Sequence, residues 1–408
     1  MASDTSSGIP ILRSSREPGH RQTTWPELLN DLVFTAIIAQ LAQRLLTDDS
    51  DMSFLEFVLL FVPIWWLWNG ETTYSTRFDN ERDVTHRVLT SIQLIALIIL
   101  ATTIPRSVES EALSTVFAIT YSITRFALLV EYGRVWYYLP ETRDYIRRIV
   151  LGFSVSIILW VASVFVPIPY RYWLWALGLL IELTTPLVAI GAEHHKKFPP
   201  DVRHLPERYG LFTLLVLGQS ITSIVNAMID HGLTMRSVSA TILCSIIVIG
   251  IWWAYFDRVD DEAVRKVEKD GSNLPYRFWL YLHLPLTMAL TMVGVGMEMT
   301  VRNVDTLDLS RSAQWFITGA LSGYFLTQAC ISLTTLLSGP CHPSFRRGII
   351  VRFGLAVAFA LLGFLENIGP LQLLSILVAS VLGLILSDTL GPEPPSNFEG
   401  GKEKENQP

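Results

Sequence analysis

Several carboxylate and histidine side chains lie inside or at the ends of long apolar segments, where they could exchange protons with a bound molecule. Asp31 is the clearest case, because it lies in the apolar stretch LLNDLVF, four residues after Glu27. An ionisable side chain in such surroundings is costly unless it serves a site or has a partner. Taken singly, such residues are also typical of simple capping or pairing at helix ends. We interpret Asp31 as a proton-donating acid, with Glu27, Glu71 and Glu207 as alternates, and assign the general base to His194 or His204.

Aromatic side chains lie next to these groups in the sequence and could form the wall of a cavity. Such a wall suits a carbocation, because ring faces stabilise a positive charge without acting as nucleophiles. Most Trp and Tyr residues of a membrane protein instead lie in belts at the bilayer interfaces. The residues that we expect to line a substrate cavity are Trp65, Trp66, Asn69, Trp252 and His283.

Two further charged residues, Arg125 and Glu182, fall near the middle of their apolar segments, at similar depths. Either charge alone would be costly to bury, whereas an ion pair between them would offset much of that cost. We expect this pair to be structural first and catalytic second.

Two aspartate pairs could hold a metal ion. Asp79 and Asp83, and likewise Asp257 and Asp261, are spaced i, i+4, so each pair would share one face of a continuing helix. Carboxylate oxygens in that arrangement can hold Mg²⁺ and, through it, a diphosphate. Arginines nearby in the sequence could neutralise the same aspartates as ordinary surface pairs. We expect no metal and no cofactor, and keep the aspartate pairs as the alternative.

The elements that must position these residues are membrane-spanning helices. Half of the 408 residues are hydrophobic and 17% are charged, and spanning a bilayer takes about 20 mostly apolar residues. Runs of this kind recur along the chain, so the sequence predicts an all-α, polytopic membrane bundle of about twelve transmembrane helices. The predicted spans are 27–46, 53–70, 86–105, 112–132, 149–167, 171–191, 207–229, 237–257, 276–299, 313–337, 348–366 and 371–390.

Basic residues indicate the orientation of this bundle, because loops rich in Lys and Arg stay cytoplasmic. If the N-terminus is cytoplasmic, Arg125 lies within a span and 24 of the other 30 Lys and Arg residues fall on the cytoplasmic side. We therefore expect both termini in the cytoplasm of a multi-pass protein, in an endomembrane such as the endoplasmic reticulum. The exceptions, on the other side, are Arg44, Arg106, Arg171, Arg236, Arg302 and Arg311.

The apolar core, 26–390, is flanked by a polar N-terminal segment, 1–25, and a Pro- and Gly-rich tail, 391–408, which we expect to be disordered in the cytoplasm. Pro26 and Glu27 at the start of the first span recur as Pro206 and Glu207 at the start of the seventh. This similarity suggests two halves, 26–200 and 201–390, related as a parallel six-plus-six repeat.

Five segments together resemble the low-temperature-requirement A family of membrane proteins. They are PELLNDLVF from Pro26, WWLWNGETTYSTRFD from Trp65, AEHH with HLPERYGLF, IWWAYFD from Ile251 and YLHLPL from Tyr281. The resemblance is clear over roughly residues 25–300. The sequence is also similar to fungal members of this family that act as membrane-bound terpene cyclases in meroterpenoid pathways. That similarity implies cyclisation of a prenyl chain carried by an aromatic or polyketide-derived headgroup.

The leading hypothesis is therefore a terpene cyclase of secondary metabolism that protonates a terminal alkene or epoxide of a lipophilic substrate. Its partners would be the lipid bilayer and that small molecule. Because charges are spread over many short loops, we expect no nucleic-acid partner. The alternatives are a membrane transporter, a non-catalytic protein of the low-temperature-requirement type, and a Mg²⁺-dependent enzyme acting on a prenyl diphosphate.

The distribution of basic residues predicts the topology. Epitopes inserted in the 134–148 and 258–275 loops should be cytoplasmic, and epitopes near residues 106 and 302 should lie on the other side of the membrane. Protease protection in sealed vesicles measures this. Two consecutive loops on the same side would contradict the twelve-span arrangement.

Overall fold

The computed structural model describes residues 8–12, 23–47, 51–80, 83–189, 197–257, 264–266, 273–338 and 343–389. Within these ranges the chain is all-α, without any strand, which confirms the predicted class. It contains twelve α-helices of 19 to 30 residues, with short 3₁₀ helices at Ile104–Arg106 and Pro140–Thr142. In chain order the helices are α1 (Trp25–Thr47), α2 (Asp51–Phe78), α3 (Val84–Thr103), α4 (Glu111–Tyr138), α5 (Arg143–Ser163), α6 (Arg171–Ala189), α7 (His204–His231), α8 (Met235–Phe256), α9 (Asn273–Arg302), α10 (Arg311–Ser338), α11 (Pro343–Leu362) and α12 (Pro370–Thr389).

Each predicted span overlaps one of these helices, but the helices differ in how apolar they are. Eight helical segments of the described chain are long and apolar enough to cross a membrane, and they contain α3, α4, α5, α7, α8, α9, α10 and α12. In α1 and α2, buried carboxylates and other polar residues lower the mean hydropathy. The membrane-protein class is thus supported, whereas twelve spans, the orientation and the six-plus-six repeat remain predictions.

Helix α2 ends later in the chain than the sequence predicts. The predicted span ends at Gly70, whereas the helix continues through a polar segment to Phe78. Side-chain donors in this segment return to the helix backbone: Ser75 Oγ donates to Thr72 O at 3.2 Å, and Arg77 Nη1 donates to Thr73 O at 3.1 Å. The segment therefore stays helical and carries Glu71 into the bundle.

Helices α9 and α10 pack closely because α9 presents glycine at the contact. A Cβ atom added to Gly296 would lie 2.6 Å from the backbone nitrogen of Ile317 on α10. Small residues at such contacts let two membrane helices approach closely enough for backbone atoms to touch. The close packing of α10 on α9 thus depends on one missing methyl group.

We expect Gly296→Ala to lower the stability of the bundle by about 1–3 kcal/mol, the usual cost of overpacking a core. The matched control is Gly354→Ala in α11, where an added Cβ meets no atom within 4 Å. Thermal unfolding of the two variants in detergent micelles provides the comparison. Equal melting temperatures for both variants and the wild type would show that α10 moves away at no cost.

Candidate functional site

Two acid–base contacts join the first turns of α1 and α7. Glu27 Oε1 lies 3.0 Å from His204 Nε2, and Asp31 Oδ1 accepts a hydrogen bond of 2.7 Å from Arg208 Nη2. The two acids are four residues apart on α1 and the two bases four residues apart on α7, so each set lies on one helix face. The facing sets hold the two helices in register.

Asp31 lies at the inner of these contacts and is fully buried. Besides Arg208, it accepts a hydrogen bond of 2.8 Å from Trp68 Nε1, and the ring of Trp68 stacks on Phe212 of α7 at 3.9 Å. A carboxylate with an arginine and an indole donor links α1, α2 and α7. These contacts pair Asp31 with donors from two other helices, which favours a structural role over proton donation.

A cavity of about 960 Å³ lies between α1, α2 and α3. Its apolar surface includes Trp25, Leu29 and Leu94, of which Trp25 and Leu29 are 85% and 51% exposed on the outside of the bundle. Its lining thus combines apolar side chains with ionisable ones. The ionisable residues that line it are Glu27, Glu71, Asp79, His86, Arg87 and Arg208.

The imidazole of His204 contacts Glu27 and is not part of the cavity lining. His204 is fully buried, and its second ring nitrogen, Nδ1, lies 3.9 Å from Glu207 Oε2. Glu207 is partly exposed and accepts a hydrogen bond of 3.1 Å from Thr23 Oγ1. Glu27, His204 and Glu207 therefore form a row of ionisable groups from the cavity to a partly exposed carboxylate, with no hydrogen bond across the 3.9 Å between His204 and Glu207. We call this row the Glu27 relay.

A second group of ionisable side chains comes from α2, α3 and α4. His86 Nδ1 lies 2.8 Å from Glu131 Oε1, and one ligand atom from each of Glu71, His86 and Glu131 lies within 4.8 Å of the other two. We call these three residues the α2–α4 cluster. Of these three residues, only Glu71 was predicted from the sequence as a site residue. The signals for the others were an acid in the apolar stretch ALLVEYG and a histidine near the start of a predicted span.

Deeper in the bundle, Arg125 Nη2 lies 2.7 Å from Glu182 Oε2, and both residues are fully buried. Tyr121 donates a further hydrogen bond of 2.9 Å to the same oxygen. A narrow pocket of about 10 Å³, lined by Glu71, Gln93, Arg125 and others, lies between the α2–α4 cluster and this ion pair. The expected pair is present, with polar side chains between it and the main cavity.

The expected aromatic lining is divided between two places. Trp65, Trp66 and Asn69 are buried, and Trp66 and Asn69 line a separate cavity of about 60 Å³. His283 is buried between Tyr255 Oη, at 3.2 Å, and the backbone oxygen of Trp279, at 2.7 Å. Trp252 belongs to neither of these two places, since the residue is 45% exposed.

The aspartate pair in the first half of the chain does not lie on one helix. Because α2 ends at Phe78, Asp79 follows it, whereas Asp83 caps α3 by accepting a hydrogen bond of 3.1 Å from His86 N. Asp83 also pairs with Arg134 at 2.8 Å. The expectation that Asp79 and Asp83 share a helix face is therefore wrong. Asp257 caps the end of α8, and its expected partner Asp261, like His194, lies outside the described residues.

The sequence pattern of the bacterial low temperature requirement A protein family matches residues 22–386. The match covers the Glu27 relay, the α2–α4 cluster and nearly all of the bundle. The chain belongs to the low temperature requirement A family. It is also 26% identical to the uncharacterized protein RA0937 of Rhizobium meliloti (strain 1021) over 293 residues, which are 69% of this chain and 70% of that protein. No solved structure matches the chain.

Family membership and the apolar helices together identify an integral membrane protein. The family match also continues beyond residue 300, where the resemblance noted from the sequence rested on hydropathy alone. Neither comparison names an activity. The chemistry of this member of the low temperature requirement A family must therefore be inferred from the geometry of its candidate site.

We expect Asp31→Asn and Arg208→Met each to destabilise the protein by about 3–5 kcal/mol, because each leaves an unpaired group in the bundle. The double variant should lose less than the sum of the two. The control is Asp230→Asn, which removes an exposed ion pair with Arg302 and should cost less than about 1 kcal/mol. Unfolding in detergent micelles measures all four variants. Normal stability of Asp31→Asn would contradict the structural role.

Proposed function

We propose that this chain is a membrane-bound cyclase that protonates the prenyl chain of a lipophilic substrate, with Glu27 as the acid. The observation that carries the proposal is an acid with its own proton relay on the wall of a large, partly apolar cavity. The same activity is what the sequence resemblance to cyclising members of the family implies. We prefer Glu27 to Asp31 as the acid because Glu27 lines the cavity, whereas Asp31 is not among its lining residues and is held by Arg208 and Trp68. Glu27 also has donors, since its Oε2 atom accepts hydrogen bonds from Thr24 N at 2.9 Å and Thr24 Oγ1 at 3.0 Å.

The size and position of the cavity suit such a substrate. Small-molecule sites commonly have volumes of about 300–1,000 Å³, and this cavity has about 960 Å³. Its apolar residues Trp25 and Leu29 are exposed on the outer surface of α1. In a bilayer that surface faces lipid, so a prenyl chain could pass from the membrane into the cavity beside α1.

Protonation of the alkene would begin the reaction. Glu27 gives its proton to the less substituted carbon of the terminal double bond, so that a C–H bond forms as the π bond breaks, and the neighbouring carbon becomes a tertiary cation. The next double bond of the chain attacks this cation and closes a ring. Loss of a proton from the resulting cation to the Glu27 carboxylate completes an isomerisation without change of mass. Between turnovers, His204 and Glu207 would exchange the Glu27 proton with water.

Membranes containing the protein should cyclise a farnesylated phenol, and Glu27→Gln should lower the rate by about 10² or more, as expected for loss of a general acid. In D₂O the product should carry one deuterium on carbon, detected by mass spectrometry. The control is Glu298→Gln, a buried acid that pairs with Arg302 on α9. Undiminished cyclisation by Glu27→Gln would move the acid elsewhere, and no conversion by the wild type would contradict the cyclase proposal.

Transport is a second candidate, favoured by the polar side chains that continue from the cavity to Arg125 and Glu182. Such a buried ion pair could close a path that is open at one end. Proton or cation flux in liposomes that changes with Arg125→Met, together with no cyclisation, would select this alternative.

A further inference from the structure

We propose that the α2–α4 cluster, formed by Glu71, His86 and Glu131, binds one divalent transition-metal ion such as Mn²⁺ or Zn²⁺. The three side chains come from three different helices, and their ligand atoms lie within 4.8 Å of one another. Shifts of about an ångström would gather these atoms around one ion at ordinary bond lengths. The site is separate from the Glu27 relay and does not depend on the cyclase proposal.

Two carboxylate oxygens in this cluster accept no hydrogen bond within the described part of the chain. Glu71 Oε2 and Glu131 Oε2 are both buried, and neither accepts a hydrogen bond from a described residue. Glu131 is fully buried and Glu71 is 8% exposed. A buried carboxylate oxygen without a donor is costly, and two of them beside an imidazole form a set that a cation would satisfy.

The surroundings of His86 fit a metal ligand. Its Nδ1 atom faces Glu131 at 2.8 Å, while Nε2 lies 3.4 Å from Asp79 Oδ1. A histidine that binds a metal through one nitrogen usually donates its other N–H to a carboxylate or carbonyl group, which fixes the ring. Asp79, which the sequence suggested as a magnesium ligand, would thus orient His86 and need not touch the ion itself.

The donor set indicates which ion would bind. One imidazole and two carboxylates suit Mn²⁺, Fe²⁺ or Zn²⁺, whereas Mg²⁺ prefers oxygen ligands and retains its water. Three protein ligands also leave at least one coordination position for water or another oxygen. Because Glu71 and His86 line the main cavity, an ion could reach the site through it.

Direct metal binding tests the proposal without any substrate. The full-length protein, carrying no histidine tag, would be purified in detergent, stripped with EDTA and titrated with Mn²⁺ under electron paramagnetic resonance. Zn²⁺ content would be measured in parallel by mass spectrometry. We expect about one ion per chain and a rise in melting temperature on binding. An equal concentration of Mg²⁺ should not displace it.

Variants locate the ion. Glu71→Gln and Glu131→Gln should each weaken Mn²⁺ binding by at least about tenfold, and Asp79→Asn by about tenfold through His86. Glu298→Gln, a buried acid outside the cluster, should bind Mn²⁺ as the wild type does. Each variant is compared only if it elutes as a single species.

A wild-type protein that binds no Mn²⁺ or Zn²⁺ would overturn the proposal, whatever the variants do. Undiminished binding by folded Glu71→Gln and Glu131→Gln would overturn it as well. In that case the cluster is a set of side chains that share protons, and neutralising Glu71 should raise stability. Because no substrate is present, these outcomes are separate from failure of the cyclase assay.

Discussion

The facing acid and base sets of α1 and α7 are the constraint on which the rest of this structure depends. In a low-dielectric bundle a charge must have a partner, and removing either member of a buried pair is costly. Asp31 and Arg208 meet this requirement only in one register of α1 against α7, and the hydrogen bond from Trp68 extends the same constraint to α2. The position of α1, and with it the cavity between α1, α2 and α3, therefore follows from these buried polar contacts together with apolar packing, in which Phe34, Ile37 and Leu41 of α1 are buried.

The two contacts of this set differ in what they can do. The inner contact, Asp31 with Arg208, is buried, and Arg208 also lines the cavity. The outer contact, Glu27 with His204, lies one turn away at the cavity surface. One pair of helix faces thus supplies both a buried ion pair and the acid that we propose for the chemistry, and the inner contact orients the outer one.

The sequence predicted the long helices of this arrangement and one of its buried ion pairs. Twelve long helices follow from apolar runs, and the Arg125–Glu182 pair follows from two charges at matched depths. The partner of Asp31 could not be predicted, because Arg208 is 177 residues away and no periodicity encodes that contact. The same holds for the α2–α4 cluster, which needs α2 to continue beyond Gly70. The residues after Gly70 are polar, and the side chains of Ser75, Thr76 and Arg77 donate hydrogen bonds to the helix backbone. Asp79 and Asp83 failed as a pair for the reverse reason: their spacing fits a helix, but α2 ends at Phe78 and Asp83 caps the start of α3.

The two polar groups also explain why a cavity persists between α1 and α3. Helix α1 is held to α7 at its first turns, and the start of α3 is held to α4 through His86 and Glu131 and through Asp83 and Arg134. These contacts involve residues of the cavity wall, among them Glu27, His86 and Arg208. Apolar collapse into the gap would bring Glu71 and Glu27 into a drier environment, which costs free energy. The charges that we assign to the chemistry therefore also oppose closure of the cavity.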